Sequence, residues 1–361
     1  VFAERDRFAE ASRELVAAAV TTQLEGHVAF LITHTPDYPR LCPPDVAAMD
    51  LMPLDDDASR ELVRGTVLDG EPPREAAQHV VDIGRGHPLF LEQLAHARIF
   101  EGVDDPPDKV ADLVAVRVER LPQHERQLLQ YIAVVNEEIS SRTLARLKGR
   151  PVDRTLLDSL VEKRFLKRTR DREAFVFSHN LVAMVVYSSI PAEVRRRIHG
   201  RVADHLRRAS APIALVAHHS FEADDGTRAI EELDQAGASA LQALDHRFAI
   251  ANYSRALDMV RREWGKGRVM EEELEQLSVG LARRLATVLL EAGEPQTSRG
   301  ILEEALSIAA GQGASRAGLR LDLGRIDLEH GNMQRAVRHL ELARADATAS
   351  FVGLKAGLVT G

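Results

Sequence analysis

Gly84-Arg85-Gly86-His87-Pro88-Leu89-Phe90-Leu91-Glu92-Gln93-Leu94 is the stretch whose reading decides the fold. Its glycines stop the preceding helix, and Pro88 suits the first turn of the next, where a missing N–H costs nothing. Leu91 and Leu94 then continue an apolar helical face. The segment is a rigid break between two helices. Working outward, the apolar spacing predicts helices over about 55–69, 73–83 and 88–100, a small helical unit. Leu54-Asp55-Asp56-Asp57-Ala58 opens the first of these. Three successive carboxylates could suggest a metal site, but acids at an N-cap and first turn oppose the helix dipole favourably, so capping is the expected role.

Upstream, Phe8, Leu15, Val16, Ala19 and Val20 give residues 6–24 an amphipathic helical pattern, and Val28-Ala29-Phe30-Leu31-Ile32-Thr33 reads as a buried parallel strand. Five of the 15 prolines (Pro36, Pro39, Pro43, Pro44, Pro53) make 34–53 a loop, with one short strand expected around Ala47 to Leu51. A helix and one strand are half of a βαβ unit and cannot bury themselves alone. The expectation is a chain cut from, or degenerate relative to, a larger protein.

Downstream, Asp104-Asp105-Pro106-Pro107-Asp108 breaks the pattern and marks the expected domain boundary. Helices are expected over about 109–119, 122–135, 140–147 and 152–163. Phe165-Leu166-Lys167-Arg168 and Ala174-Phe175-Val176-Phe177 follow as two strands joined by the charged turn Thr169 to Glu173. Helices ending in such a hairpin are a winged-helix pattern, and two more helices should run over about 179–189 and 191–208.

Beyond Pro212 the sequence repeats itself. Gly237, Ala249, Tyr253 and Ala256 recur as Ala286, Ser298, Leu302 and Ala305, and again as Gly324, Ala336, Leu340 and Ala343, each set with internal spacings of 12, 4 and 3 residues. Small residues at such spacing let paired helices cross closely while the large one fills the adjoining gap, which is the tetratricopeptide (TPR) pattern. The sets are 49 and 38 residues apart, more than the roughly 34 of a regular repeat, so an irregular TPR-like solenoid is expected. The apolar, uncapped Gly353 to Gly361 adds to the expectation of a cut array.

Composition bounds the rest. A 361-residue chain that is 45% apolar but only 4% aromatic favours helices packed through small aliphatic side chains over an all-β fold. A net charge of -8 gives no global field that would draw nucleic acid or membrane. The single cysteine, Cys42, excludes an internal disulfide, and no long apolar run or signal-peptide pattern occurs. A soluble, cytoplasmic chain is the resulting expectation. No Gly-x-x-x-x-Gly-Lys-Ser/Thr sequence is present, so the chain lacks a P-loop of its own.

The order Gly-x-Pro-Leu-Phe-Leu-Glu-x-Leu at Gly86–Leu94 resembles the nucleotide-sensing segment that closes the ATPase module of bacterial STAND proteins, signal-transduction NTPases of the AAA+ class. The resemblance implies a mainly α chain in four parts: a truncated α/β P-loop NTPase remnant over 1–53, a helical lid over 54–103, a winged-helix-like connector over 108–208 and a TPR-like solenoid over 212–361. In that family the proline packs near the adenine, and its helix links nucleotide state to the domains that follow. Gly86 and Pro88 are therefore nucleotide-site candidates; a plain loop and helix start is the competing reading. Val1-Phe2-Ala3-Glu4 would take the Walker B position, with Ala3 replacing one carboxylate and Glu4 keeping the other. Thr33-His34-Thr35-Pro36 would be the first sensor, with Thr35 where arginine is usual. Both departures weaken magnesium coordination and γ-phosphate sensing, and an ordinary exposed acid is the competing reading of Glu4.

Phe177-Ser178-His179-Asn180-Leu181, followed by Val186-Tyr187, Arg196, His199 and Leu206, resembles the segment ending the family's winged-helix region. In plant and animal relatives a histidine at a place comparable to His179 touches the ADP phosphates; a structural hydrogen-bonder is the alternative. The resemblance admits ATP or ADP only with an upstream P-loop, and otherwise no cofactor.

Two further features carry side chains of chemical interest. The basic run Arg195-Arg196-Arg197-Ile198-His199-Gly200-Arg201, with Arg207 and Arg208, invites nucleic acid, but Glu193 and Asp204 interrupt it and a solvated helix face is expected. His218-His219 has no Cys or acid at ligand spacing, and neighbours on a helix point apart, so no metal site is expected there. No catalytic residue is assigned, and His87 reads as a polar loop residue. The expected function is the regulatory, non-catalytic portion of a STAND-type signalling ATPase, coupling nucleotide state to a protein partner or small-molecule inducer on the solenoid. The alternatives are a pure TPR-type interaction scaffold with a vestigial NTPase remnant, and part of a transcriptional activator whose DNA-binding domain lies outside this chain. The output domain of such a protein, a kinase or cyclase for instance, is not in this sequence.

Overall fold

The computed structural model describes residues 2–4, 31–33, 49–66, 72–103, 106–170, 173–266, 271–309 and 313–359. The chain is mainly α-helical. The expected helix over 6–24, the first part of the strand from Val28, Thr35, Cys42 and the Asp104-Asp105 breaker lie outside the described residues. At the N-terminus β1 (Phe2–Glu4) and β2 (Leu31–Thr33) pair in parallel, with Phe2 opposite Leu31 and Glu4 opposite Thr33. Met49 to Leu51, where a short strand was expected, is irregular, and Met49 and Leu51 are exposed. A strand needs a partner for its backbone groups, and no described strand lies alongside.

Three helices follow, α1 (Asp56–Thr66), α2 (Arg74–Gly84) and α3 (Pro88–Ala95), with a single π-helical turn over His96–Phe100. The Asp55 carboxylate accepts from the Ala58 amide at 2.8 Å, and Asp56 and Asp57 pair with Arg60, so the acidic triplet caps and charges the helix start. Val63, Val80, Val81, Leu91 and Leu94 make a common core that Leu113 of α4 (Val110–Arg120) joins.

On its other side α4 sends Val114 and Val118 into a second core with α5 (Gln123–Val135), α6 (Ser141–Lys148) and α7 (Arg154–Glu162). The same core takes in α8 (Asn180–Ser189) and α9 (Ala192–Arg208). The expected hairpin is present as β4 (Leu166–Arg168) and β5 (Ala174–Phe177), with Leu166 opposite Phe177. A two-residue strand that the sequence pattern did not reveal, β3 (Ile139–Ser140), completes an antiparallel sheet in the order β3-β5-β4. Alternation in β5 buries Phe175 and Phe177 against the helices, and the Ser140 hydroxyl caps α6 by accepting from the Thr143 amide.

The remaining helices form the TPR-like solenoid: α10 (Ile213–Ala223), α11 (Gly226–Gln242), α12 (His246–Lys266), α13 (Glu271–Glu291), α14 (Pro295–Ile308), α15 (Gly313–Glu329) and α16 (Met333–Val359). Each recurring set falls on one pair, with its first member on α11, α13 or α15 and the other three on the helix after it. A Cβ on Gly237 would stand 2.6 Å from the Tyr253 ring, so the ring occupies the space that glycine leaves. At the second crossing the Ser298 hydroxyl donates to the Ala286 carbonyl at 2.7 Å, joining the two helix backbones. At the third, Leu340 is 41% exposed where Tyr253 is 1% and Leu302 0%, because no further described helix covers α16.

The crossings therefore differ in tightness. Gly237→Ala should destabilise the chain, because overpacking against a buried ring costs about 1–3 kcal/mol and outweighs the roughly 1 kcal/mol gained in helix propensity. Gly324→Ala, whose Cβ meets the partly exposed Leu340 at 3.2 Å and the Ala336 carbonyl at an ordinary 3.5 Å, should be near neutral. Urea unfolding of both variants checks this; equal losses would sink the crossing argument.

Candidate functional site

The helix start that the sequence singles out is built from three turns of backbone. α2 ends with Arg85 at φ 46° and Gly86 at φ 73°, two successive left-handed residues. A Cβ on Gly86 would lie 2.2 Å from the Leu54 carbonyl, and the Leu54 amide donates to the Gly86 carbonyl at 2.9 Å. Glycine is required there twice, for its φ and for this backbone approach. Pro88 opens α3 at its first turn as expected. His87 is more than a polar loop residue: it is the N-cap, its Nδ1 accepting from the Phe90 amide at 3.3 Å.

One turn along α3, Glu92 meets His179, Oε2 to Nε2 at 3.2 Å, across 87 residues of sequence. Pro88 and Glu92 are four residues apart, so they share a helix face with an axial offset of about 6 Å. The contact thus brings His179 to the face of α3 that carries Pro88, one turn along the helix from it. His179 is the N-cap residue of α8, yet its side chain makes no capping bond and turns to α3 instead. Both partners stay partly exposed, at 40% for His179 and 35% for Glu92. Glu4 ends β1 opposite Thr33.

Beneath the helix lies a buried cation. Arg117 of α4, with a fully buried side chain, donates to both oxygens of Glu101 and to the Lys163 carbonyl at 2.8 Å. It also bonds Gln93 Oε1, and its guanidinium stands 4.6 Å from the Phe165 ring centroid. It therefore ties α3, the end of the π turn, the loop after α7 and the start of the hairpin into one unit. Next to it His96 stacks on Phe100, with its Nε2 buried and without a hydrogen-bond partner. Burial, then the charges of Arg117 and Arg164, push its pKa down to about 3.

The basic run on α9 is largely engaged internally. Arg196 pairs with Glu193, Arg201 donates to the Tyr131 hydroxyl, Arg195 lies over the Tyr187 ring, and Arg207 is held by Glu232, Asp225 and Asp204. Cations so committed make a poor phosphate-tracking surface. His218 and His219 present a different picture from the sequence reading. The third imidazole comes from His199, on the neighbouring helix α9 and 19 residues before His218. Sequence spacing within one helix could not show it.

No protein-family model matches the sequence, and no curated protein matches it. Among solved structures, the chain is similar to the crystal structure of a Signal Transduction ATPase with Numerous Domains (STAND) protein with a tetratricopeptide repeat sensor from Pyrococcus horikoshii. The two are 15% identical with a TM-score of 0.43, over 88% of this chain and 57% of that one. The chain thus spans little more than half the length of that protein.

Two outcomes test the buried centre. Arg117→Met should destabilise by about 3–5 kcal/mol, since it leaves Glu101 and Gln93 without their partner; thermal unfolding measures it, and a loss like that of an exposed arginine would refute the tie. For His96 the folded pKa of about 3 lies below the unfolded value of 6.5. Its contribution is complete above pH 6.5 and is lost as pH falls toward 3, because the unfolded chain takes up a proton that the folded chain refuses, with a slope of up to about 1.4 kcal/mol per pH unit. His96→Leu should reduce the pH dependence of stability between pH 6.5 and 4.5 by nearly one proton. An unchanged dependence would mean that His96 titrates alike in both states.

Proposed function

We propose that this chain is the regulatory, non-catalytic portion of a STAND-type signalling ATPase, in which nucleotide state is relayed to the solenoid through α3 and α8. The observation that carries the reading is the His179–Glu92 contact. It joins the two segments in which the family resemblance puts nucleotide contacts, and it uses the imidazole that would otherwise face phosphate. A phosphate near Pro88 would repel the Glu92 carboxylate and compete for His179, so phosphate binding and the His179–Glu92 contact exclude each other. The winged-helix reading is supported by the helix order and the β3-β5-β4 sheet, with α9 passing from that core to α10 of the solenoid. The solenoid then presents its surface to a protein partner or small-molecule inducer.

Nucleic acid is disfavoured by the internal pairing on α9 and the net charge of -8. Among the described residues no helix is long and apolar enough to cross a membrane. A competing reading is an interaction scaffold in which the nucleotide module is vestigial.

ADP and ATP titrations by calorimetry and thermal shift separate the two. The nucleotide-linked reading expects weak binding, with a dissociation constant near about 1 mM. At ten times that concentration linkage raises stability by about 1.4 kcal/mol, and His179→Ala abolishes the rise. No heat and no shift with either nucleotide would leave the scaffold.

A further inference from the structure

The joint between the second core and the solenoid holds three imidazoles. His199 projects from α9, whose Ile198 and Val202 belong to the second core, while His218 and His219 come from α10, whose Ala217 belongs to the solenoid core. One ring nitrogen from each lies within 4.8 Å of the other two. His199 Nδ1 is 2.9 Å from His219 Nδ1, and the three ring centroids are 5.0, 5.1 and 6.0 Å apart. His199 and His219 are buried, at 1% and 6% exposure, and His218 is half-buried. We propose that His199, His218 and His219 bind a borderline divalent transition-metal ion of the Zn2+ class, which clamps α9 to α10.

The chemistry of the donor set selects that class. Three imidazoles with no carboxylate among them suit zinc, nickel, copper or cobalt, whereas calcium and magnesium require oxygen ligands. Two nitrogens on tetrahedral zinc stand about 3.3 Å apart, from Zn–N bonds of about 2.0–2.1 Å. The pair at 2.9 Å is therefore a few tenths of an ångström too close, and small ring rotations that also draw His218 inward complete a face. The fourth position of a tetrahedral ion is left to solvent.

The surroundings hold the rings ready. Tyr187 Oη lies 3.1 Å from His199 Nε2; by accepting from Nε2–H it fixes the tautomer whose Nδ1 lone pair faces His219. With His199 in that tautomer the proton between the two Nδ1 atoms belongs to His219, and metal binding would move it to His219 Nε2. Burial keeps all three imidazoles neutral, the form that ligates. Glu222, one turn beyond His218, brings a negative charge to bear on His218 and Tyr187, against the positive charges of Arg195 and Arg255.

The test uses the full chain without an affinity tag, stripped of metal. Calorimetric titration with Zn2+ should show one equivalent bound, with a rise in thermal stability. Tyr187→Phe, which disturbs only the orienting bond, should weaken binding by about tenfold or more. His199→Asn combined with His219→Asn should abolish it, while His246→Asn, on a half-buried histidine of α12 that lies near Glu291 and away from the trio, should leave it unchanged. Because the double variant also alters a buried contact, X-ray absorption of the zinc-loaded wild type gives an independent reading, and three imidazole ligands are expected. No saturable equivalent in the wild type, a count of two imidazoles or fewer, or binding that survives the double variant would each overturn the proposal.

Discussion

Arg117 is the constraint on which the middle of the molecule depends. A guanidinium with no exposed side-chain surface must have every donor answered, and the answers come from Gln93, Glu101 and the Lys163 carbonyl, on three separate elements. Charge-assisted, bidentate bonds of this kind have narrow geometry, so each element is fixed relative to α4. The widened π turn over His96–Phe100 belongs to the same requirement. By carrying one more residue per turn at the end of α3, it brings Glu101 back to the cation. Removing the bulge would move Glu101 around the helix, away from Arg117.

Much of the fold is legible because it rests on local rules. Pro88 at a first turn, Asp55 as a cap and the 12-4-3 spacing on α11 and α12 each act within a single helix or between sequence neighbours. What was not legible depends on partners far apart in sequence. β3 is two residues long, too short to show alternation, and exists because β5 offers it an edge. His87 looked like a loop residue because a histidine cap is rare beside Ser, Thr, Asp and Asn. Of the candidate site residues, Gly86 and Pro88 come from one local motif and His179 from another. That Glu92 links them could not be read, since it takes the second core to bring residue 179 against α3. The histidine trio was missed for the same reason, with His199 on a different helix from its partners.

Charge within the solenoid follows a consistent plan. Arg284 of α13 reaches Asp234 of α11, Arg283 reaches Asp322 of α15, Arg299 of α14 reaches the fully buried Asp327, and Arg320 reaches Asp346 of α16. Pairs at the surface contribute little individually. The Asp327 pair is different, because a buried carboxylate without its cation would be strongly disfavoured. Such a pair does more to fix how α14 and α15 meet than to raise stability. The apolar contacts supply most of the energy, and the ion pairs choose among packings of similar apolar area.

α9 is where these two kinds of order meet. Ile198 and Val202 are set in the core beside the sheet, while Arg207 at the other end grips Asp225 and Glu232 of the solenoid. In the proposed relay, a helix stiff over such a length would carry a displacement of the second core to α10 and α11. The contacts on either side differ in strength. His179 meets Glu92 at a partly exposed surface, where water can replace either partner, whereas Arg207 is bound by several acids. Movement is therefore easier to start at α3 than at the solenoid joint. A signal arising near Pro88 would break the weak contact first and arrive at the solenoid with α9 and its arginine still joined. A relay of this kind needs that asymmetry: a loose input contact and a firm output grip on one rigid helix.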